Sequence, residues 1–141
     1  MNPTQEFAVE LARVGRRWRT RLDARVKHLG LTQARWIALL HLRLSGCLSQ
    51  RDLAERIGVE GPTLVRLLDA LQARGLIERV EADDDRRVKK IHLAGSAKSL
   101  IEEITRISDA FREELMEGIP ADDLRTAHRV LRLIGDRLER S

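Results

Sequence analysis

Two short helical stripes meet across a glycine between Ser49 and Gly75, and this junction limits the folds open to the chain more than any other feature. Ser49 can accept a hydrogen bond from the backbone N–H near Asp52 and so start a helix whose apolar face is Leu53, Ala54 and Ile57. That helix stops at Gly58. After Val59 and Glu60, Gly61-Pro62-Thr63 opens a second helix, with Pro62 in the first turn, where a missing N–H costs nothing. Leu64, Leu67, Leu68 and Leu71 form its inward stripe, which leaves Thr63 and Arg66 on the outer face with Val65 beside them. Gly75 ends it. Two short helices joined by a tight glycine turn, the second polar on its outer side, make a helix-turn-helix pattern. Leu76 to Val80 and Val88 to Leu93 then read as strands joined by the polar run 81–87, which predicts a hairpin, or wing.

Long helices flank this unit. Phe7, Leu11, Val14, Trp18, Leu22, Val26 and Leu29 recur in steps of three or four and predict one amphipathic helix, broken at Gly30 and Leu31. Thr32 is placed to cap a second helix carrying Trp36, Ile37, Leu40 and Leu44, which ends at Ser45 and Gly46. Beyond the wing, Leu100, Ile104, Ile107, Phe111 and Leu115 define one helical stripe, and Leu124, Ala127, Leu131, Ile134 and Leu138 another. Gly118-Ile119-Pro120 separates them. The expected fold is mainly α with a small β-wing. It is organised as one structural domain: an N-terminal dimerisation helix at 1–31, a winged helix-turn-helix region at 32–95, and C-terminal dimerisation helices at 96–141. A small winged core leaves the flanking stripes without a surface to cover, and a symmetric homodimer supplies one.

Charge narrows the choice of partner. The chain has 141 residues and a formal net charge of +4, a mild excess that points to an acidic partner such as double-stranded DNA. Residues 1–45 hold nine basic and three acidic side chains, residues 46–94 nine of each, and residues 95–141 eight basic and ten acidic. The middle segment is therefore neutral overall, and any contact it makes with nucleic acid depends on where a few cations stand. Phe7, Phe111, Trp18 and Trp36 are the only aromatic residues, too few for a single-strand binder that stacks bases on aromatic platforms.

Other classes fall away on similar grounds. One cysteine, Cys47, excludes an intrachain disulfide framework and fits a reducing compartment. The opening residues do not read as a secretory signal, and no apolar run approaches about 18 residues, so a cytoplasmic protein without a membrane span is expected. His28, His41, His92 and His128 lack metal-site spacing. Phosphate-binding glycine loops and nucleophile elbows are absent as well. Neither a metal, a cofactor nor an enzymatic activity is expected.

Ordered blocks of residues run along nearly the whole chain: Arg17-Trp18-Arg19, Leu31-Thr32-Gln33 with Trp36, Ile57-Gly58-Val59-Glu60, and Pro62-Thr63-Leu64-Val65-Arg66. They continue through Leu68-Asp69, Gly75-Leu76-Ile77 and Asp85-Arg86-Arg87. In these blocks the chain resembles the MarR family of bacterial transcriptional regulators, and its SlyA branch in particular. The resemblance implies a homodimer that binds pseudo-palindromic DNA, often with an aromatic carboxylate weakening the binding.

Carried over residue by residue, the resemblance places Pro62, Thr63, Val65 and Arg66 at the major groove. Arg66 can bond guanine O6 and N7 or grip phosphate, Thr63 can bond phosphate or a base edge, and Pro62 and Val65 can touch a thymine methyl. At the wing, three acids directly precede two arginines. The family pattern assigns Asp85 to hold Arg87 by a charge-assisted bond and leaves Arg86 to enter the minor groove, although the residues alone leave open which arginine inserts. Lys89 and Lys90 alternate faces of the second strand.

The sequence departs from close relatives at Gly61, commonly polar there, and at Ala94, usually threonine, whose capping role Ser96 is positioned to take. Arg17, Trp18 and Trp36 are the effector candidates, a cation with aromatic walls for a small aromatic acid, although both tryptophans also lie on core-forming stripes. Cys47 lies outside the first helix, where oxidation-sensing relatives are expected to carry their reactive thiol. The competing function is a helical interaction protein whose arginine-rich first helix binds an acidic protein or membrane surface. Against it, Arg13, Arg16, Arg17, Arg19, Arg21 and Arg25 spread around much of that helix.

Overall fold

The computed structural model describes all residues, 1–141. The first apolar stripe forms α1, Pro3–Val26, opened by a reciprocal capping box in which Asn2 accepts from the Gln5 backbone and Gln5 returns the bond. One turn of 3₁₀ helix, Lys27–Leu29, tightens its end, and Gly30 closes it at φ 76°, a left-handed conformation that suits glycine. Helix α2 spans Gln33–Ser45, strand β1 Cys47–Ser49, α3 Gln50–Ile57 and α4 Gly61–Ala73. Strands β2, Ile77–Ala82, and β3, Asp85–Leu93, form the wing, and α5, Lys98–Met116, and α6, Ala121–Arg140, complete the chain.

Contacts divide the chain into two compact units, Met1–Ser108 and Asp109–Ser141. The first holds the main core, in which Val26, Leu39, Leu42, Leu53, Leu64, Leu68, Leu71, Ile77, Ile91 and Ile104 are fully buried. All four leucines of the α4 stripe are buried, as their spacing predicts. Within the second unit, α6 buries no residue, and Val130, Leu131, Leu133 and Leu138 are exposed.

Several local expectations change. Helix α2 turns Ala38, Leu39 and Leu42 inward along with Trp36, while Leu44 is 83% exposed. In a run as apolar as Trp36 to Leu44, more than one stripe satisfies helical spacing, and only packing selects among them. Thr32 does precede α2, but its side chain makes no capping bond. The sheet gains a third strand that hydropathy does not show: β1 pairs antiparallel with β3, Leu48 opposite Ile91, giving the order β1-β3-β2. The wing strands are also longer than expected, and only Asp83 and Asp84 turn the hairpin. Finally, Ser96 does not cap the segment after Ala94; its hydroxyl donates instead to the Gly75 carbonyl at 2.6 Å.

Candidate nucleic-acid interface

The turn between α3 and α4 is built from caps. Ser49 accepts from the Asp52 N–H at 3.0 Å to start α3, and Gly58, at φ 70°, returns its own N–H to Ala54 to stop it. Pro62 then sits in the first turn of α4. Because Leu64, Leu67, Leu68 and Leu71 face the core, Pro62, Thr63, Val65 and Arg66 stand exposed on the opposite side. No hydrogen bond or ion pair engages Arg66.

Strand β2 is fastened to this helix by one side chain. The Arg79 guanidinium donates through Nη2 to Asp69 Oδ1 at 2.6 Å and through Nε to Gln72 Oε1 at 2.7 Å. The wing therefore extends from a base held against α4.

At the wing tip the ladder is irregular. Glu81 pairs with Lys89 but Ala82 pairs with Asp85, so Arg86, Arg87 and Val88 lie in a bulge without strand partners. The bulge overrides the simple alternation of faces there. Asp85 Oδ1 accepts from the Arg87 backbone N–H at 2.9 Å and from its Nε at 3.2 Å, and Oδ2 accepts from Nη2 at 3.4 Å. Accepting these bonds favours the ionised carboxylate and holds the Asp85 pKa below the usual aspartate range. Arg86, by contrast, is exposed and has no partner. Lys89 meets Glu81 at 3.4 Å.

Between the starts of α3 and α4 and the wing lies a cavity of about 620 Å³ that sequence reasoning did not anticipate. Arg51, Arg87 and Lys89 are its charged lining residues, with Ser49 and Gln50 adding polar groups and no carboxylate among the lining side chains. Each of these cations also has a carboxylate neighbour outside the lining, Arg51 with Glu55 at 3.7 Å, Arg87 with Asp85 and Lys89 with Glu81, so the cavity gathers cations within a locally balanced surface. Arg51, at the exposed start of a capped helix, was the available signal; its joining with Lys89 depends on how the wing folds over α3.

The MarR family model matches residues 29–88, the segment that contains α2 to α4 and most of the wing. The solved structure of a transcriptional regulator designated PA3341 is 43% identical, with 96% of this chain and 99% of that one aligned at a TM-score of 0.88. The chain belongs to the MarR family. AbsC, a MarR-family transcriptional regulator from Streptomyces coelicolor, shares the fold at 19% identity, with a TM-score of 0.88 over 100% of this chain and 98% of AbsC. A cysteine-to-serine mutant of MarR from E. coli, solved with operator DNA, shares it at 21% identity, with a TM-score of 0.80 over 95% and 99%. The winged helix architecture of this MarR-family chain is thus the family fold.

The effector candidates are not gathered in the same way. Arg17 is exposed on α1 and Trp18 is half-buried. Trp36 is buried, and its indole N–H donates to Asp23 Oδ1 at 3.3 Å. None of the three lines the cavity beside α3, nor a smaller one of about 190 Å³ bounded by Arg43, Leu93, Ala94, Lys98, Ile101 and Glu102. Cys47 Sγ lies 3.6 Å from His92 Nε2 across the β1–β3 pair.

Proposed function

We propose that this MarR-family chain is a homodimeric, sequence-specific DNA-binding transcriptional regulator. Each α4 enters a major groove of a pseudo-palindromic operator, and each wing reaches the adjoining minor groove. One observation carries the reading: Arg66 on α4 and Arg86 in the wing bulge are both exposed and unpaired, while the neighbouring Arg87 is held by Asp85. Two free guanidiniums displayed by a helix-turn-helix and its wing suit guanine and phosphate, for which the planar fork is the matching donor.

In this reading Pro62, Thr63, Val65 and Arg66 face base edges and phosphates, Asp85 orients Arg87, and Arg86 takes the narrow minor groove. Arg51 and Lys89 add phosphate contacts from the cavity beside α3. Exposed Phe7, Val9, Leu11 and Val14 on α1, and Leu131, Leu133 and Leu138 on α6, are apolar surface that a second copy would cover. The residue blocks Leu31-Thr32-Gln33 and Asp85-Arg86-Arg87 support placement in the SlyA branch. A small aromatic carboxylate modulates binding. Such a ligand weakens DNA binding by the same factor by which DNA weakens its own.

The test is selection of bound fragments from genomic DNA, followed by footprinting and salt titration. Two-fold symmetric footprints with half-sites about 34–36 Å apart are expected. Arg66→Ala should relax preference at one base position by about 1–3 kcal/mol, whereas Arg86→Ala should lower affinity for all sites and flatten the salt dependence by about one unit of slope. Full base discrimination by Arg66→Ala, or an unchanged slope in Arg86→Ala, would remove that residue from the interface. Binding to anionic vesicles without sequence-selective DNA binding would replace the reading with that of a membrane-surface protein.

A further inference from the structure

The reading helix is held at the end that carries none of its reading residues. Arg74, the C-cap residue of α4, donates through Nη1 to the Gly30 carbonyl at 3.0 Å and through Nη2 to the Leu29 carbonyl at 3.3 Å. These carbonyls lie at the C-terminal end of the turn that closes α1, where backbone oxygens lack helical donors and a cation is favoured. The next residue is tied as well, since the Ser96 hydroxyl donates to the Gly75 carbonyl at 2.6 Å just ahead of α5. Ala94 adds a backbone bond to the Leu76 carbonyl at 2.9 Å. Residues 74–76 therefore join the end of α1, the end of α4 and the approach to α5 at one point. At the other end of α4, Glu60 contributes no side-chain cap, and Gly61, Pro62 and Thr63 are exposed.

We propose that Arg74 is a positioning residue that sets which half-site spacing the dimer accepts, by fixing the angle of α4 to the flanking helices at a pivot shared with Ser96. The proposal rests on the dimeric DNA-binding reading above. Arg66 lies eight residues along the helix from Arg74, about 12 Å at 1.5 Å per residue. A rotation of about 15° at the pivot moves it about 3 Å, close to the 3.4 Å rise of one base pair. A planar guanidinium that bonds two carbonyls resists such rotation in a way one point donor does not. With the fork intact, only operators whose half-sites match the resting angle engage both readers. Without it, each reader reaches neighbouring spacings, while the residues that touch bases are unchanged.

The experiment is binding-site selection from a random duplex library with wild type, Arg74→Ala, Arg74→Lys and Ser96→Ala, followed by competition between selected operators lengthened or shortened by one base pair at the centre. Wild type should enrich paired half-sites at a single spacing and disfavour the altered ones by about tenfold, within the range of a single mismatched base pair. Arg74→Ala should enrich the same half-site motif over several spacings and discriminate by about threefold or less. Arg74→Lys and Ser96→Ala should fall between. An Arg74→Ala protein that keeps the wild-type spacing preference would overturn the proposal, as would one whose half-site motif itself changes, because the arginine would then act on reading and not on placement. If Arg74→Ala does not fold, retention of wild-type spacing preference by both Arg74→Lys and Ser96→Ala would overturn it equally. Wild-type enrichment of single, unpaired half-sites is a separate result: it would overturn the dimeric reading, and the pivot with it.

Discussion

Replacing Arg79 by alanine tests whether the wing base and α4 act as one rigid piece. The side chain is mostly buried, at 24% exposure, and spans from β2 to two acceptors on α4, Asp69 at 2.6 Å and Gln72 at 2.7 Å. Asp69 is 57% exposed, so water shares its charge, and the ion pair belongs near the upper end of the surface range, about 1 kcal/mol. The bond to the Gln72 amide adds about 0.5–1.5 kcal/mol. Because Asp69 stays in water when Arg79 is removed, no penalty for a stranded buried charge is added. Arg79→Ala should therefore lose about 1.5–2.5 kcal/mol. At about 2–4 °C per kcal/mol for a chain somewhat larger than this one, Tm should fall by at least about 3 °C and by up to about 10 °C. The assay is urea unfolding at one fixed protomer concentration for wild type, Arg79→Ala, Asp69→Ala and the double variant. The cycle should give a coupling of about 0.5–1 kcal/mol between the two residues. Additive losses, with a coupling below about 0.2 kcal/mol, would refute the clamp and leave Arg79 as a packing residue.

Two further outcomes follow from the same geometry. Ser49→Ala removes the acceptor of the Asp52 N–H and should cost about 1 kcal/mol, with Ser49→Asp recovering most of it in calorimetry; equal losses in both variants would show that the cap contributes nothing. The Asp85 carboxylate has a depressed folded-state pKa, so its bond to Arg87 is complete above the ordinary aspartate value and opens only as pH falls through the lower one. Carboxyl NMR should place the Asp85 midpoint below the unfolded-peptide value and return it toward that value in Arg87→Ala. An Asp85 midpoint unaffected by Arg87→Ala would show that Asp85 does not hold the arginine.

The exposed face of α4 was legible in the residues because its determinants are local. The leucine spacing of α4 dictates which side is buried, and therefore that Thr63, Val65 and Arg66 point outward. The Asp85–Arg87 bond spans two residues and follows from neighbouring side chains of opposite charge. Arg51 and Lys89 were not read as one surface, because 37 residues and the hairpin separate them, and charge counted along the chain does not report charge gathered in space.

What the chain determined by itself is the set of helices, their breaks, the Ser49 cap and the exposed side of α4, all consequences of hydrogen bonds and periodicities within a few residues. Tertiary structure decided the rest. Strand β1 is three residues long and exists only because β3 lies alongside it, more than 40 residues later. Helix α2 had several apolar stripes to offer, and the packing of Leu39 and Leu42 into the core chose one and left Leu44 in water. Arg74 and Ser96 found their acceptors at Gly30 and Gly75, carbonyls whose availability depends on where α1 and α4 end in space. Long-range pairing commits two distant segments at once, and no short window of sequence holds both halves of that choice.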